Sequence, residues 1–181
     1  AMMSQRAREM KAEGLDVIAL SSGEPDFQTP HHVMEAAHAA ALRGETKYTS
    51  TGGMNELKDE IIEKFKRENG LSYTREEIIV GNGTKQVIFN ALMSGIEDGQ
   101  EVILPAPFYI AYLDMVKFAG GMPVTVTCDV EQGFKLSPEQ LAAAITPKTR
   151  WLILNSPNNP TGAVYDENDL RGLAEVLLDH P

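Results

Sequence analysis

The feature that most constrains this chain is a regular alternation that begins near residue 77 and continues to residue 178. Short apolar stretches of β-branched character, at 77–80, 101–104, 123–128 and 150–154, read as strands. Between and after them, 86–95, 111–119, 138–145 and 167–178 read as helices. Strands that are apolar throughout suit a sheet covered on both faces, and helices of this length join parallel neighbours through right-handed crossovers. The expected fold class is α/β, with a mostly parallel sheet between two layers of helix, a three-layer αβα arrangement. Ahead of the alternation, 4–13 reads as a short polar helix and 16–20 as a brief apolar run. An alanine-rich helix opens at Pro30 and is stopped by Gly44. A further helix at 54–69 places Leu57, Ile61, Ile62 and Phe65 at helical spacing.

Composition narrows the function classes. With 43% apolar and 23% charged residues in 181, the chain can bury a sizeable core, which excludes disorder and a disulfide-dependent miniprotein. Its formal charge of −10 is spread along the chain, the wrong sign for a binder of phosphate backbones, so no nucleic-acid partner is expected. The single cysteine, Cys128, can form neither an internal bridge nor a metal cluster, and in a strand pattern it reads as a small buried apolar residue. Apolar stretches are too short to cross a bilayer, and the start lacks the apolar core of a secretory signal. A cytoplasmic protein with no membrane partner is the expectation. The histidines, His31, His32, His38 and His180, join no carboxylate or thiol set with ligand spacing, so no metal site is expected.

Ligands of such sheets bind beyond the carboxyl ends of the strands, and the unusual loops of this chain sit there. Gly81-Asn82-Gly83-Thr84-Lys85-Gln86 lies between a strand and a helix. Its backbone amides at a helix N-terminus can hold an anion, or it can be no more than a tight turn. It matches neither a Walker loop nor a dinucleotide fingerprint. Asn155-Ser156-Pro157-Asn158-Asn159-Pro160-Thr161-Gly162 carries two X-Pro bonds and three asparagines. These letters describe a plain loop or a constrained one that holds uncharged amide groups against a ligand hydroxyl or phenolate. Pro105-Ala106-Pro107-Phe108-Tyr109-Ile110-Ala111-Tyr112 gathers aromatic rings where a strand ends. One ring there can stack on a planar ligand, while Phe108 and Tyr112 read as packing, as does Trp151.

Five motifs in order carry a resemblance. They are Ser-Gly-Glu-Pro-Asp-Phe at 22–27, Lys-Tyr-Thr-Ser-Thr-Gly-Gly at 47–53, Gly-Asn-Gly-Thr-Lys-Gln at 81–86, Pro-Ala-Pro-Phe-Tyr at 105–109 and Asn-Ser-Pro-Asn-Asn-Pro-Thr-Gly at 155–162. The series resembles the amino-terminal part of a class I, fold type I, pyridoxal-phosphate aminotransferase of the aspartate aminotransferase type. The resemblance implies that 1–30 belong to an N-terminal arm or small domain. Residues 31–181 would begin the large cofactor domain, incomplete at its C-terminal side.

It further implies that the cofactor is pyridoxal 5'-phosphate, with its phosphate held by the backbone of Gly83, Thr84 and Lys85. Tyr109 takes the position of the ring that stacks on the pyridine, and Asn159 that of the amide bonded to the 3' oxygen. Tyr109 and Asn159 also face the substrate, and Gly23 brings its backbone to the substrate carboxylate. Tyr48 reaches the phosphate of a second subunit in a homodimer. Cis bonds are implied at Ala106–Pro107 and Asn159–Pro160. The activity implied is transamination between an amino acid, L-aspartate or a similar one, and a 2-oxo acid such as 2-oxoglutarate.

Tyr109 departs from the Trp that aspartate-type members usually carry. None of the nine lysines matches the family's nucleophile motif, so the chain by itself is expected to be inactive. The Schiff-base lysine, the aspartate that pairs with the pyridinium and the arginine that binds carboxylate are expected beyond residue 181. Sister activities, lyases or synthases on amino acids, share the same cofactor loops. A non-catalytic α/β module that binds a phosphorylated small molecule is the alternative outside enzymes. Half of a doubly wound sheet is also expected to leave an apolar edge strand uncovered.

Overall fold

The computed structural model describes residues 2–19, 23 and 25–180. Leu20, at the end of the run read at 16–20, and Ser21, Ser22 and Glu24 of the loop after it lie outside the described residues. The chain divides into two compact units, 1–49 and 50–181. The first holds helix α1 (Met2–Ala12) and helix α2 (His31–Leu42), neither of which buries a residue.

The second unit opens with α3 (Asn55–Asn69), whose C-cap Gly70 adopts φ +66° and ends the helix. Phe65 of α3 meets Tyr73 edge-on, with ring centroids 5.5 Å apart. The alternation follows: α4 (Thr84–Gly95), β1 (Glu101–Ala106), α5 (Ala111–Phe118), β2 (Met122–Thr127), α6 (Pro138–Ala144), β3 (Thr149–Leu152) and α7 (Glu167–Leu178). The three strands form one parallel sheet in the order β2-β1-β3. Glu101 pairs with Met122, and Ile103 with both Val124 and Leu152.

Successive residues of the central strand point to opposite faces, and the core divides accordingly. Val102 and Leu104 pack with Leu92 and Ile96 at the end of α4 and with Tyr112, Met115 and Val116 of α5. Ile103 packs on the other side with Cys128, Leu136, Leu141 of α6, Tyr165 and Leu173 of α7. Val102, Ile103 and Leu104 are all 0% exposed, as expected of a strand sandwiched between helix layers. The αβα architecture is therefore present, with helices α4 and α5 on one face and α6 and α7 on the other. Gly95 marks a close approach: a Cβ there would lie 2.7 Å from the ring of Trp151, whose indole N–H donates to the Gly95 carbonyl at 3.1 Å.

The helices start where local chemistry dictates. Ser137 with Gln140, and Asp166 with Asp169, form reciprocal capping boxes that satisfy the first amides of α6 and α7. Lys135 reaches Asp169 at 2.6 Å and ties the segment before α6 to α7. The Leu136 amide donates to the Tyr165 hydroxyl at 2.6 Å beneath the sheet.

One expected strand is not formed. Residues 75–77 make a 3₁₀ turn, Ile78 is extended, and 78–80 join no ladder among the described residues. The Val80 amide is bonded instead to the Gly52 carbonyl at 3.0 Å. An apolar, β-branched run can supply a strand's conformation, but a ladder needs a partner backbone. β3 is an edge strand that pairs only with β1 among the described residues. Beside it lies a cleft of about 380 Å³ lined by Thr84, Ile88, Tyr112, Trp151 and Asn155 among others. No described helix is long and apolar enough to cross a membrane.

Candidate active site

At the N-terminus of α4 the chain turns sharply. Gly83, the N-cap, has φ +88° and ψ 162°, a left-handed conformation that a side chain would strain. Its carbonyl accepts the amides of Gln86 and Val87 at 3.1 and 3.2 Å, which starts the helix. The Gly83 amide is itself committed to the Gly81 carbonyl at 2.9 Å, and the Asn82 amide donates to Gln86 Oε1 at 2.5 Å. The amides of Thr84 and Lys85 have no acceptor among the described residues. The first turn of α4 carries no acidic side chain, and a Cβ at Gly83 would meet nothing within 4 Å. Two free N–H groups at the positive end of a helix dipole, with open space before them, suit an anion.

The second loop brings an aromatic ring to this point. Ala106–Pro107 is cis, as the resemblance implied. Tyr109 is half-buried, its ring edge-on to that of Tyr112 at 5.6 Å between centroids. The ammonium of Lys85 sits 5.6 Å from the centre of the Tyr109 ring, so the anion-type loop and the aromatic ring are neighbours. Phe108 and Tyr112 belong to the packing above the sheet. Burial, and secondarily the charge of Tyr109, push the Tyr112 phenol above its ordinary value, which keeps it protonated.

The asparagine loop closes the third side. Asn159–Pro160 is cis, as implied, and Ser156–Pro157 is cis as well. The Asn159 amide donates to Asn155 Oδ1 at 2.8 Å. The Asn158 amide donates to the Ala163 carbonyl at 2.8 Å, and Gly162 returns a bond to the Asn158 carbonyl at 2.7 Å. The Asn159 side chain is exposed and makes no hydrogen bond among the described residues. Asn155 and Thr84 line the same 380 Å³ cleft, which brings this loop beside the head of α4.

Gly83, Thr84, Lys85, Tyr109 and the 155–159 segment thus converge where β1 and β3 end, on one side of the second unit. Gly23 and Tyr48 belong to the first unit and are exposed there. Three supporting groups escaped individual roles in the sequence: Gln86, Asn155 and Asn158. Gln86 lies one turn from the amide it holds, a local signal. The partners of Asn158 include a residue far away in sequence, which leaves no local trace.

A family pattern described as "Aminotransferase class I and II" matches residues 15–181. This chain belongs to that family. Among curated relatives, an aspartate/prephenate aminotransferase of Cereibacter sphaeroides is 54% identical over 179 residues, covering 99% of this chain and 45% of that protein. An aspartate aminotransferase of Rhizobium meliloti is 55% identical over 176 residues, covering 97% and 43%. The crystal structure of the aspartate aminotransferase from Rhizobium meliloti superposes with a TM-score of 0.93 at 54% identity, over 99% of this chain and 45% of that one. The Thermus thermophilus aspartate aminotransferase with maleate gives a TM-score of 0.95 at 47% identity, over 99% and 47%. The chain therefore spans less than half the length of these aminotransferases.

Proposed function

We propose that this aminotransferase chain forms the phosphate-and-ring half of a pyridoxal-phosphate site, in a protein that transfers an amino group between an amino acid and a 2-oxo acid. The single observation that carries the reading is the pair of amides of Thr84 and Lys85, without an acceptor among the described residues, beside the Tyr109 ring. Those amides would hold the phosphate ester, with the helix dipole favouring its charge. Gly83 contributes the space and the turn rather than a donor, because its own amide is used within the loop. Tyr109 would stack on the cofactor ring, and the exposed carboxamide of Asn159 would donate to its 3' oxygen.

When bound, pyridoxal phosphate supplies an electron sink for the pair released as the substrate loses its Cα proton. The residues of this chain bind and orient; the lysine that carries the cofactor and moves that proton is expected outside residues 1–181, as are the pyridinium-pairing aspartate and the carboxylate-binding arginine. Gly23 would approach the substrate carboxylate through its backbone, and Tyr48 would serve the phosphate of a second subunit in a homodimer. Residues 1–30 would belong to an arm or small domain and 31–181 to the large domain of a cytoplasmic enzyme. The names of the relatives favour aspartate as amino donor, and the resemblance of the motifs adds 2-oxoglutarate as an acceptor.

The test uses the gene product that contains these 181 residues. Aspartate and 2-oxoglutarate with pyridoxal phosphate should yield glutamate. Failure with every amino donor tried would overturn the reading. Residues 1–181 alone should show no turnover, and activity in that segment would refute the placement of the lysine elsewhere.

A further inference from the structure

We propose that Asn158 is a positioning residue that sets the distance between the Tyr109 ring and the Asn159 carboxamide. This rests on the cofactor reading given above. The Asn158 side-chain amide donates to the Pro107 carbonyl at 2.9 Å and to Thr161 Oγ1 at 2.8 Å. An amide NH₂ has two hydrogens, so these bonds use its whole donor capacity. The first crosses 51 residues of sequence and joins the loop after β1 to the loop after β3. The second, with the main-chain bonds to Ala163 and from Gly162, holds the asparagine loop in shape around the same residue.

The consequence follows from adjacency along the chain. Tyr109 lies two residues beyond Pro107, and Asn159 directly follows Asn158. Asn155 holds the Asn159 backbone from one side. Only Asn158 ties that loop by a hydrogen bond to the strand-end loop that carries the ring, among the described residues. Two groups that must meet one flat ligand, one on its face and one at its edge, need such a tie, because small displacements weaken oriented contacts. The Pro107 carbonyl needs a donor: aspartate has the same shape as asparagine but would set an acceptor against that carbonyl.

The experiment compares the cofactor-loaded gene product with its N158D, N158S and N159A variants. Three readouts are taken: the visible circular dichroism per mole of bound pyridoxal phosphate, the pH midpoint of its visible band, and the affinity of the cofactor-free protein for inorganic phosphate. A donor at the 3' oxygen favours the deprotonated form, so its misplacement raises that midpoint. The expectation for N158D is a rise of about one pH unit, a tenfold change in proton affinity, with the dichroism falling while phosphate affinity stays near wild type. N158S, which keeps one hydroxyl donor, should lie between N158D and wild type, and it stands in for N158D if that variant does not fold. A purely structural role would lower phosphate affinity in step with the other two readouts, and that result would overturn the proposal. So would wild-type dichroism and midpoint in N158D and N158S when N159A moves both. Wild-type values in N159A as well would refute the role of Asn159 itself, and with it the reading beneath this one.

Discussion

Replacing Thr84 by proline removes one of the two amides that have no acceptor among the described residues while leaving the helix almost untouched. Thr84 is the first residue of α4, where proline is favoured because its missing N–H has no intrahelical partner. The preceding Gly83 has ψ 162°, close to the range that a residue before proline adopts. A hydrogen bond to a charged group contributes about 1.5–3 kcal/mol, so affinity for pyridoxal phosphate should fall by about 10- to 150-fold. Pyridoxal lacks the phosphate and should bind the variant about as well as wild type. Titration of the cofactor-free gene product by fluorescence, with both ligands, reads the difference directly. T84A separates the side chain from the backbone, since it keeps the amide and loses only the hydroxyl; its loss should be the smaller. Unfolding midpoints of T84P and wild type should nearly coincide. Equal weakening for pyridoxal and its phosphate, or unchanged binding of the phosphate, would show that these amides face no anion.

Three further predictions concern the scaffold. Gly95→Ala places a methyl 2.7 Å from the Trp151 ring and should cost about 1–3 kcal/mol of stability, read as a lower urea midpoint with an unchanged slope. Burial, then the charge of Asp129, raises the Cys128 thiol above its ordinary value, so a disulfide reagent at pH 8 should label it only as the protein unfolds. Rapid labelling under native conditions would contradict the packing of Cys128 beneath the sheet. Asp169 is held below its ordinary value of 3.8, first by the hydrogen bond from Lys135 and then by the Asp166 amide. A carboxylate depressed in the fold stabilises above its ordinary pKa and loses that contribution as pH falls through its folded value. The stability difference between wild type and D169N should therefore be constant from pH 6 to 8 and shrink below about pH 4, and a difference that grew on acidification would reverse the sign.

The sequence by itself determined the elements whose causes are local. Helices α4 to α7 follow from apolar spacing and from capping pairs three residues apart, such as Asp166 with Asp169. The sheet's buried character follows from continuous runs such as Val102-Ile103-Leu104, and the loop positions follow from their glycines and prolines. The five ordered motifs also named the family. Tertiary structure decided what depends on distant backbone. The run at 78–80 has the right residues for a strand but joins no ladder among the described residues, because propensity cannot supply a partner. Among the three amides assigned to the anion, only the turn geometry shows that Gly83 spends its own on Gly81. The meeting of Lys85 with Tyr109, and of Asn158 with Pro107, spans 24 and 51 residues. Such contacts leave no periodicity in the chain: the first joins the head of α4 to the loop after β1, and the second forms because the parallel strands β1 and β3 end side by side and deliver their loops to one place.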